Sequence, residues 1–256
     1  MGHFLTKHLC LLLSACLLSI SAFARTDQPP SASLEVSHEM LAAFLQVDQE
    51  ASEHVTEQQL RSLNVFVEEL RNKRERYRSE ARFLSFFFRK VHRKFLKRYQ
   101  GHTTLYELLE QGSYDCVTGT ALYALLLDAL DIPYQVHEFP YHVYLTVTTS
   151  QGDTIMIEST DPQYGFVTDP GEQAKREQHY SEAATDESAE YQYGFTIRES
   201  IGLTKLAGLS YFNEAVDRYN QQQFQAARDL LRQASSLYDS PRMEAFARLM
   251  NGLAHH

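Results

Sequence analysis

Three residues near the middle of the chain have side chains that together can carry out acyl transfer: Cys116, His142 and Glu158. A cysteine thiolate is a strong nucleophile, a histidine can take up and return its proton, and a carboxylate can hold that histidine in one tautomer. The chain therefore holds the parts of a thiol triad, which would move an acyl group from an amide or ester to sulfur and then to water or an amine.

Cys116 is predicted to begin a buried helix. Asp115 is a favourable N-cap, residues 117–130 are apolar on nearly every face, and Pro133 follows the end of the helix. We expect the helix N-terminus, with a protonated His142, to lower the pKa of the thiol. The alternative is a buried free cysteine that acts only as a small hydrophobic residue.

Strands are predicted at residues 134–139, 142–148 and 154–158, with a hairpin turn at 150–153. In an antiparallel pair closed by that turn, Glu158 returns close to the level of His142. This pairing predicts that the base and the carboxylate meet at one end of a small sheet.

Two other residues compete for these roles. His137 is an alternative base, but we interpret it as a structural residue of its strand. Asp161 is an alternative acid, and its position just before Pro162 is typical of a residue that caps a turn.

The same residues resemble the core of the transglutaminase-like cysteine superfamily, whose fold is papain-like. Cys116 lies at a helix start, aromatic Tyr144 lies two positions after His142, and Glu158 begins a Glu-Ser-Thr sequence that resembles the family's Asp-x-Thr motif. The resemblance covers about residues 101–170 and implies an α+β fold, in which one buried helix packs on a small antiparallel sheet with flanking helices. It also implies a Cys-His-Glu triad that needs no cofactor.

The N-terminus has the pattern of a secretory signal peptide. Residues 9–20 are apolar, and the Ala22-Phe23-Ala24 sequence is a cleavage site, so we expect an exported mature chain that begins at Arg25. Cys16 lies in a lipobox-like sequence, and a lipid anchor at this residue is the alternative. The remaining cysteine outside the signal, Cys116, has no partner for an internal disulfide.

The chain divides by pattern into four segments. These are a signal peptide at 1–24, a helical segment at 25–100, a transglutaminase-like core at 101–200, and helices resembling a tetratricopeptide hairpin at 203–256. Small residues at Ala215 and Ala227 favour close packing in that hairpin, which is a candidate surface for a protein partner. Residues 168–193 are polar and acidic, and we predict a long loop or flap there.

Composition excludes some classes of function. Residues 71–98 are rich in lysine and arginine, but apolar residues recur at intervals of four in this segment, which predicts a core-facing helix with a solvated basic face. With a net charge of −9, an exported chain is not expected to bind nucleic acid. No metal-ligand spacing, phosphate-binding loop or dinucleotide motif is present, and we expect no transmembrane helix in the mature chain.

The sequence therefore favours an exported cysteine hydrolase or acyl transferase that acts on peptide or protein amides. The alternative is a non-catalytic interaction module that keeps the same fold.

Overall fold

The fold is α+β, and the computed structural model describes residues 35–47, 53–182 and 197–253. The predicted signal peptide, its cleavage site and Cys16 lie outside these residues. The helices of the described chain are α1 His38–Leu45, α2 Glu53–Arg74, α3 Glu80–Lys94, α4 Leu105–Gln111, α5 Cys116–Ala129, α6 Pro170–Glu182, α7 Leu203–Asn220, α8 Phe224–Leu237 and α9 Pro241–Leu253. The strands are β1 Arg98–Tyr99, β2 Ser113–Tyr114, β3 Tyr134–Glu138, β4 Val143–Thr148, β5 Thr154–Ile157, β6 Phe166–Val167 and β7 Glu199–Ile201.

Helix α5 is the buried centre of the fold. Asp115 is its N-cap, and a reciprocal capping box joins the Asp115 carboxylate and backbone to Thr118. Such a box satisfies donors that a helix start otherwise leaves unpaired. All of its residues except Cys116 and Asp128 are buried, which confirms the predicted buried helix beginning at Cys116.

The sheet packed on α5 has five antiparallel strands in the order β6-β5-β4-β3-β7. In the β4–β5 hairpin, Leu145 pairs with Ile157 and Thr148 pairs with Thr154, across the predicted turn. His142 directly precedes β4 and Glu158 directly follows β5, so both lie at the same end of the hairpin. The predicted strand pairing is confirmed.

The helices before α5 pack on the same apolar core. The predicted apolar stripe is buried, which confirms the prediction. It consists of three residues of α3 at four-residue spacing and the residue that follows the helix: Phe83, Phe87, Val91 and Phe95. Tyr123 of α5 donates a hydrogen bond of 2.8 Å to the carbonyl of Phe88. The basic residues of α3 are mostly on the solvent side, as the periodicity predicts.

A buried cluster of polar side chains connects the C-terminal helices to the sheet. Glu138, at the end of β3, is fully buried and lies 2.8 Å from the guanidinium of Arg242 at the start of α9. The Tyr238 hydroxyl lies 2.7 Å from Glu138 and also 2.7 Å from Glu199 of β7. Helices α7 and α8 form a hairpin in which Ala215 and Ala227, the small residues expected at its interface, are fully buried.

The prediction of a loop over 168–193 is wrong for its first half. Asp169 accepts a hydrogen bond of 2.8 Å from the amide of Glu172, and the helix α6 begins between them at Pro170. An aspartate at the N-cap and a proline in the first turn are ordinary helix-start signals. Residues 183–193 lie outside the described residues.

Among the residues described, none of the helices has both the length and the apolar character needed to cross a membrane.

Candidate active site

The sulfur of Cys116 lies against the backbone at the start of β4. The backbone amides of Val143 and Val117 lie close enough to the sulfur to favour its ionised form, and Cys116 is partly exposed. Thr120, one turn further along α5, donates to the carbonyl of Val143 at 3.4 Å. The nucleophile candidate is thus fixed beside the residue that immediately follows His142.

His142 and Glu158 meet as the hairpin pairing predicts. The Nε2 atom of His142 lies 2.5 Å from Oε2 of Glu158, and Glu158 is 1 % exposed. The other oxygen of Glu158 accepts hydrogen bonds from the amide and the hydroxyl of Thr160, at 3.0 Å and 2.7 Å. Thr160, the last residue of the Glu-Ser-Thr sequence, therefore orients the carboxylate that orients the histidine.

A fourth residue, Tyr180 of α6, joins this group. Its hydroxyl donates a 2.9 Å hydrogen bond to Oε2 of Glu158, and its ring centroid lies 4.4 Å from that of His142. Sequence reasoning missed Tyr180 because the polar, acidic stretch at 168–193 indicates a loop. The helix-start signal at Asp169 and Pro170 would have placed Tyr180 on a helix beside the site.

Glu158 is held as a carboxylate. Burial raises its pKa, but the hydrogen bond and charge of His142 and the two donors of Thr160 outweigh burial, and the pKa is lowered. An ionised carboxylate in a buried position favours a hydrogen bond from the imidazole and fixes its tautomer.

The thiol behaves differently from the expectation of a lowered pKa. Burial, followed by the charges of Asp115 and Glu158, raises the pKa of Cys116 to about 12, and the amides of Val143 and Val117 offset only part of the rise. Asp115 still opposes ionisation although its oxygens accept from Thr118 and Thr103. Cys116 is nevertheless partly exposed, and it lines a cavity.

Helix α5 approaches the turn after β5 closely, and this approach sets the distance between Cys116 on the helix and Glu158 at the end of β5. A Cβ atom at Gly119 would lie 2.8 Å from Oγ and 2.9 Å from Cβ of Ser159. Ser159 is fully buried and follows Glu158 directly. Glycine at this position of the helix allows the carboxylate to approach the Cys116 end of α5.

A cavity of about 510 Å³ opens beside Cys116 and His142. Its lining includes residues around β4 and the start of α5, together with residues of α7 and α9. The C-terminal helices thus border the same space as the candidate nucleophile and base.

The two competing residues have other partners. Oδ1 of Asp161 accepts from the amides of Gln163 and Tyr164, and Oδ2 accepts from Arg176 at 3.1 Å, so Asp161 caps a turn as expected. His137 shares a 2.8 Å hydrogen bond with Thr146 and its ring stacks on Tyr144. Their contacts fit the structural roles that the sequence favoured.

Within the described ranges no three histidine, cysteine or acidic side chains are grouped so as to hold a metal ion. Comparisons of the chain with protein-family models, with curated proteins and with solved structures gave no match. Any assignment of function therefore depends on the geometry of the site.

Proposed function

We propose that the chain is an exported cysteine acyl transferase or hydrolase on a transglutaminase-like core, which acts on peptide or protein amides through Cys116, His142 and Glu158. The observation that carries the proposal is the 2.5 Å contact of His142 with a buried, ionised Glu158, directly beside the backbone that holds the sulfur. Because Glu158 engages Nε2, the Nδ1 atom is left to exchange a proton with the thiol.

The reaction begins when His142 takes the proton of the Cys116 thiol. The thiolate attacks the amide carbon and forms a C–S bond, and the carbonyl oxygen becomes an oxyanion. The amide of Cys116, in the first turn of α5, is one of the donors that a helix does not use internally and can stabilise that charge. His142 then gives its proton to the leaving amine as the C–N bond breaks, and a thioester remains on Cys116.

The second half repeats these roles. A water molecule or an amine loses a proton to His142 and attacks the thioester carbon. The C–S bond breaks, the proton returns to the sulfur, and the product is a carboxylic acid or a new amide. Glu158 keeps the imidazole oriented in both halves and stabilises its cation.

The raised pKa of the thiol favours a mechanism in which the thiol gives its proton to His142 during the reaction. It disfavours one in which a thiolate is already present before the substrate binds. Substrate entering the cavity removes water and brings the carbonyl carbon to the sulfur, so proton transfer and attack are coupled. The same raised pKa is also the observation that favours the alternative, a non-catalytic module with an inert buried cysteine.

The rate at which iodoacetamide alkylates Cys116, measured by mass spectrometry against pH, separates the two functions without knowledge of the substrate. If His142 acts as the base, His142→Ala slows alkylation at neutral pH by about a hundredfold. Glu158→Gln has a smaller effect of the same sign, because an orienting residue contributes less than the pair it orients. Cys116→Ala removes the labelled peptide that contains position 116.

Two control variants match these changes. His179→Ala removes an exposed histidine from α6, and Asp161→Asn removes a carboxylate three positions after Glu158. Both are expected to react as the unmodified protein does. If His142→Ala does not slow alkylation at neutral pH, the enzyme is ruled out and the binding module is supported.

A further inference from the structure

The cavity beside Cys116 is walled on its far side by one face of α7 and part of α9. The apolar residues of this wall are Leu209, Phe212, Val216, Tyr219, Phe246 and Leu249. We propose that this wall binds the acyl side of an extended, uncharged peptide and accepts an apolar side chain, with aromatic side chains preferred. The inference rests on the proposed function and specifies its substrate.

The aromatic residues of the wall form one cluster that borders the cavity. The ring of Phe246 meets those of Phe212 and Tyr219 edge to face, at centroid distances of 5.7 Å and 5.3 Å. Phe212 and Tyr219 are only partly buried, because parts of them border the cavity. Another ring can join such a cluster with the same edge-to-face geometry, which gains more than burial of area alone.

The charges beside the wall are already balanced. Arg242 lines the cavity, but its guanidinium lies 2.8 Å from Glu138 and 5.8 Å from the centroid of Phe212. Asp115, at the other side, is occupied by Thr118 and Thr103. Because the charge of Arg242 is already paired with that of Glu138, a charged side chain entering this space would lose water and at best share a partner, so an uncharged occupant is favoured.

Two asparagines on the same helix face point to a peptide in place of a lipid chain. Asn213 and Asn220 both line the cavity, and neither side chain has a hydrogen-bond partner in the described ranges. They are seven residues apart on α7, which is about 10.5 Å along a helix axis. Three residues of an extended chain span about 10 Å, so the two amides can bond the backbone of one peptide.

A fatty acyl chain would fill the apolar part of the cavity but would form no hydrogen bond with either asparagine. Carboxamides both donate and accept, which is what a peptide backbone requires. The C-terminal helices are therefore a part of the substrate site, in addition to any partner surface on their outer faces.

The experiment uses peptide vinyl sulfones that alkylate Cys116. A glycine tripeptide probe is compared with probes in which phenylalanine, aspartate or lysine replaces one glycine at each position in turn. Burial of a phenylalanine side chain predicts inactivation at least about tenfold faster for the best phenylalanine probe than for the glycine probe, with no gain for aspartate or lysine. Equal rates for all probes, or a faster rate with a dodecanoyl chain on the same vinyl sulfone, would overturn the inference.

Variants place the effect on the wall. Val216→Lys and, at a more exposed position, Leu249→Lys are expected to remove the advantage of phenylalanine, measured as the ratio of the rate for the phenylalanine probe to the rate for the glycine probe. Asn213→Ala lowers the rate of every peptide probe relative to the rate of iodoacetamide. Gln225→Lys, on the exposed side of α8, is the control and changes neither rate. Retention of the phenylalanine advantage in both lysine variants would contradict the assignment.

A binding measurement separates this inference from the proposed function. Fluorescence anisotropy of a fluorescein-labelled Gly-Gly-Phe-Phe-Gly-Gly peptide is followed with Cys116→Ala protein, in which no chemistry is possible. Binding that is weakened by Val216→Lys, and that is lost when aspartate replaces phenylalanine, supports the wall even if the thiol is inert. If neither change alters the affinity for the peptide, the wall is not the binding site, even if Cys116 reacts through His142.

Discussion

A buried histidine close to the site provides the most quantitative test of this structure. His92 of α3 is 6 % exposed, and among the described residues neither of its ring nitrogens has a hydrogen-bond partner. It packs on the rings of Phe88, Tyr114 and Tyr123. Burial lowers its pKa from 6.5 to about 4, although the charges of Asp161 and Glu158 oppose the shift.

Because the pKa of His92 is lower in the folded chain than in the unfolded chain, protonation of His92 at acidic pH destabilises the fold. Between about pH 6.5 and about pH 4 the unfolded chain binds a proton at His92 that the folded chain does not, so stability is lost as pH falls through this window. Above the window, in neutral solution, nothing is lost at this residue. At about pH 4.5 the loss amounts to about 2.5 kcal/mol, because one pKa unit corresponds to about 1.4 kcal/mol.

The perturbation is His92→Leu, a change of similar volume that removes the titratable ring. Urea unfolding at about pH 7.5 and about pH 4.5 gives the free energy of unfolding of both proteins. The variant is expected to gain about 2.5 kcal/mol relative to the original chain between the two pH values. Packing differences occur at both pH values and cancel in this comparison.

His179→Leu, at an exposed position of α6, is the control and should show no such pH-dependent gain. If His92→Leu loses stability on acidification to the same extent as the original chain, His92 has a proton-binding partner when folded and the reasoning is refuted.

Two further changes test the geometry around Glu158. Tyr180→Phe removes a hydrogen bond to the Glu158 carboxylate. It is expected to slow alkylation of Cys116 at neutral pH by about tenfold, with little change in melting temperature. An unchanged rate would show that Tyr180 is not part of the site. Gly119→Ala should lower the free energy of unfolding in urea by about 1–3 kcal/mol, because its Cβ would lie 2.8 Å from Oγ of Ser159, and Ser159→Gly should restore most of the loss. A full loss that Ser159→Gly does not relieve would place the strain elsewhere.

Local signals were sufficient for much of the fold. Asp115, an apolar run and Pro133 predicted the buried helix and its first residue, Cys116. Thr104 caps the short helix α4 and Gly112 ends it with a φ of 77°, as their residue types indicate. The contact of His142 with Glu158 followed from strand alternation and one hairpin turn, which are also local.

The features that the sequence did not predict depend on contacts between distant segments. Helix α6 has no fully buried residue, so no apolar periodicity marks it, and Tyr180 was missed with it. The raised pKa of Cys116 depends mainly on burial, which distant segments provide, and then on the charges of the adjacent Asp115 and of Glu158, which is forty-two positions away. The wall formed by α7 depends on how a helical hairpin docks on the sheet, which its own periodicity does not specify.

The link from Glu138 to Tyr238 and Arg242 limits how this chain can be divided. A shortened protein ending before Leu203 would lose both partners of a fully buried carboxylate, and an uncompensated buried charge costs about 3–5 kcal/mol. The same cut would remove one wall of the cavity, so loss of activity in the fragment would not separate a failure to fold from a failure to hold substrate. Truncation in the laboratory, or recombination between genes, would therefore have to keep the sheet and its C-terminal helices together.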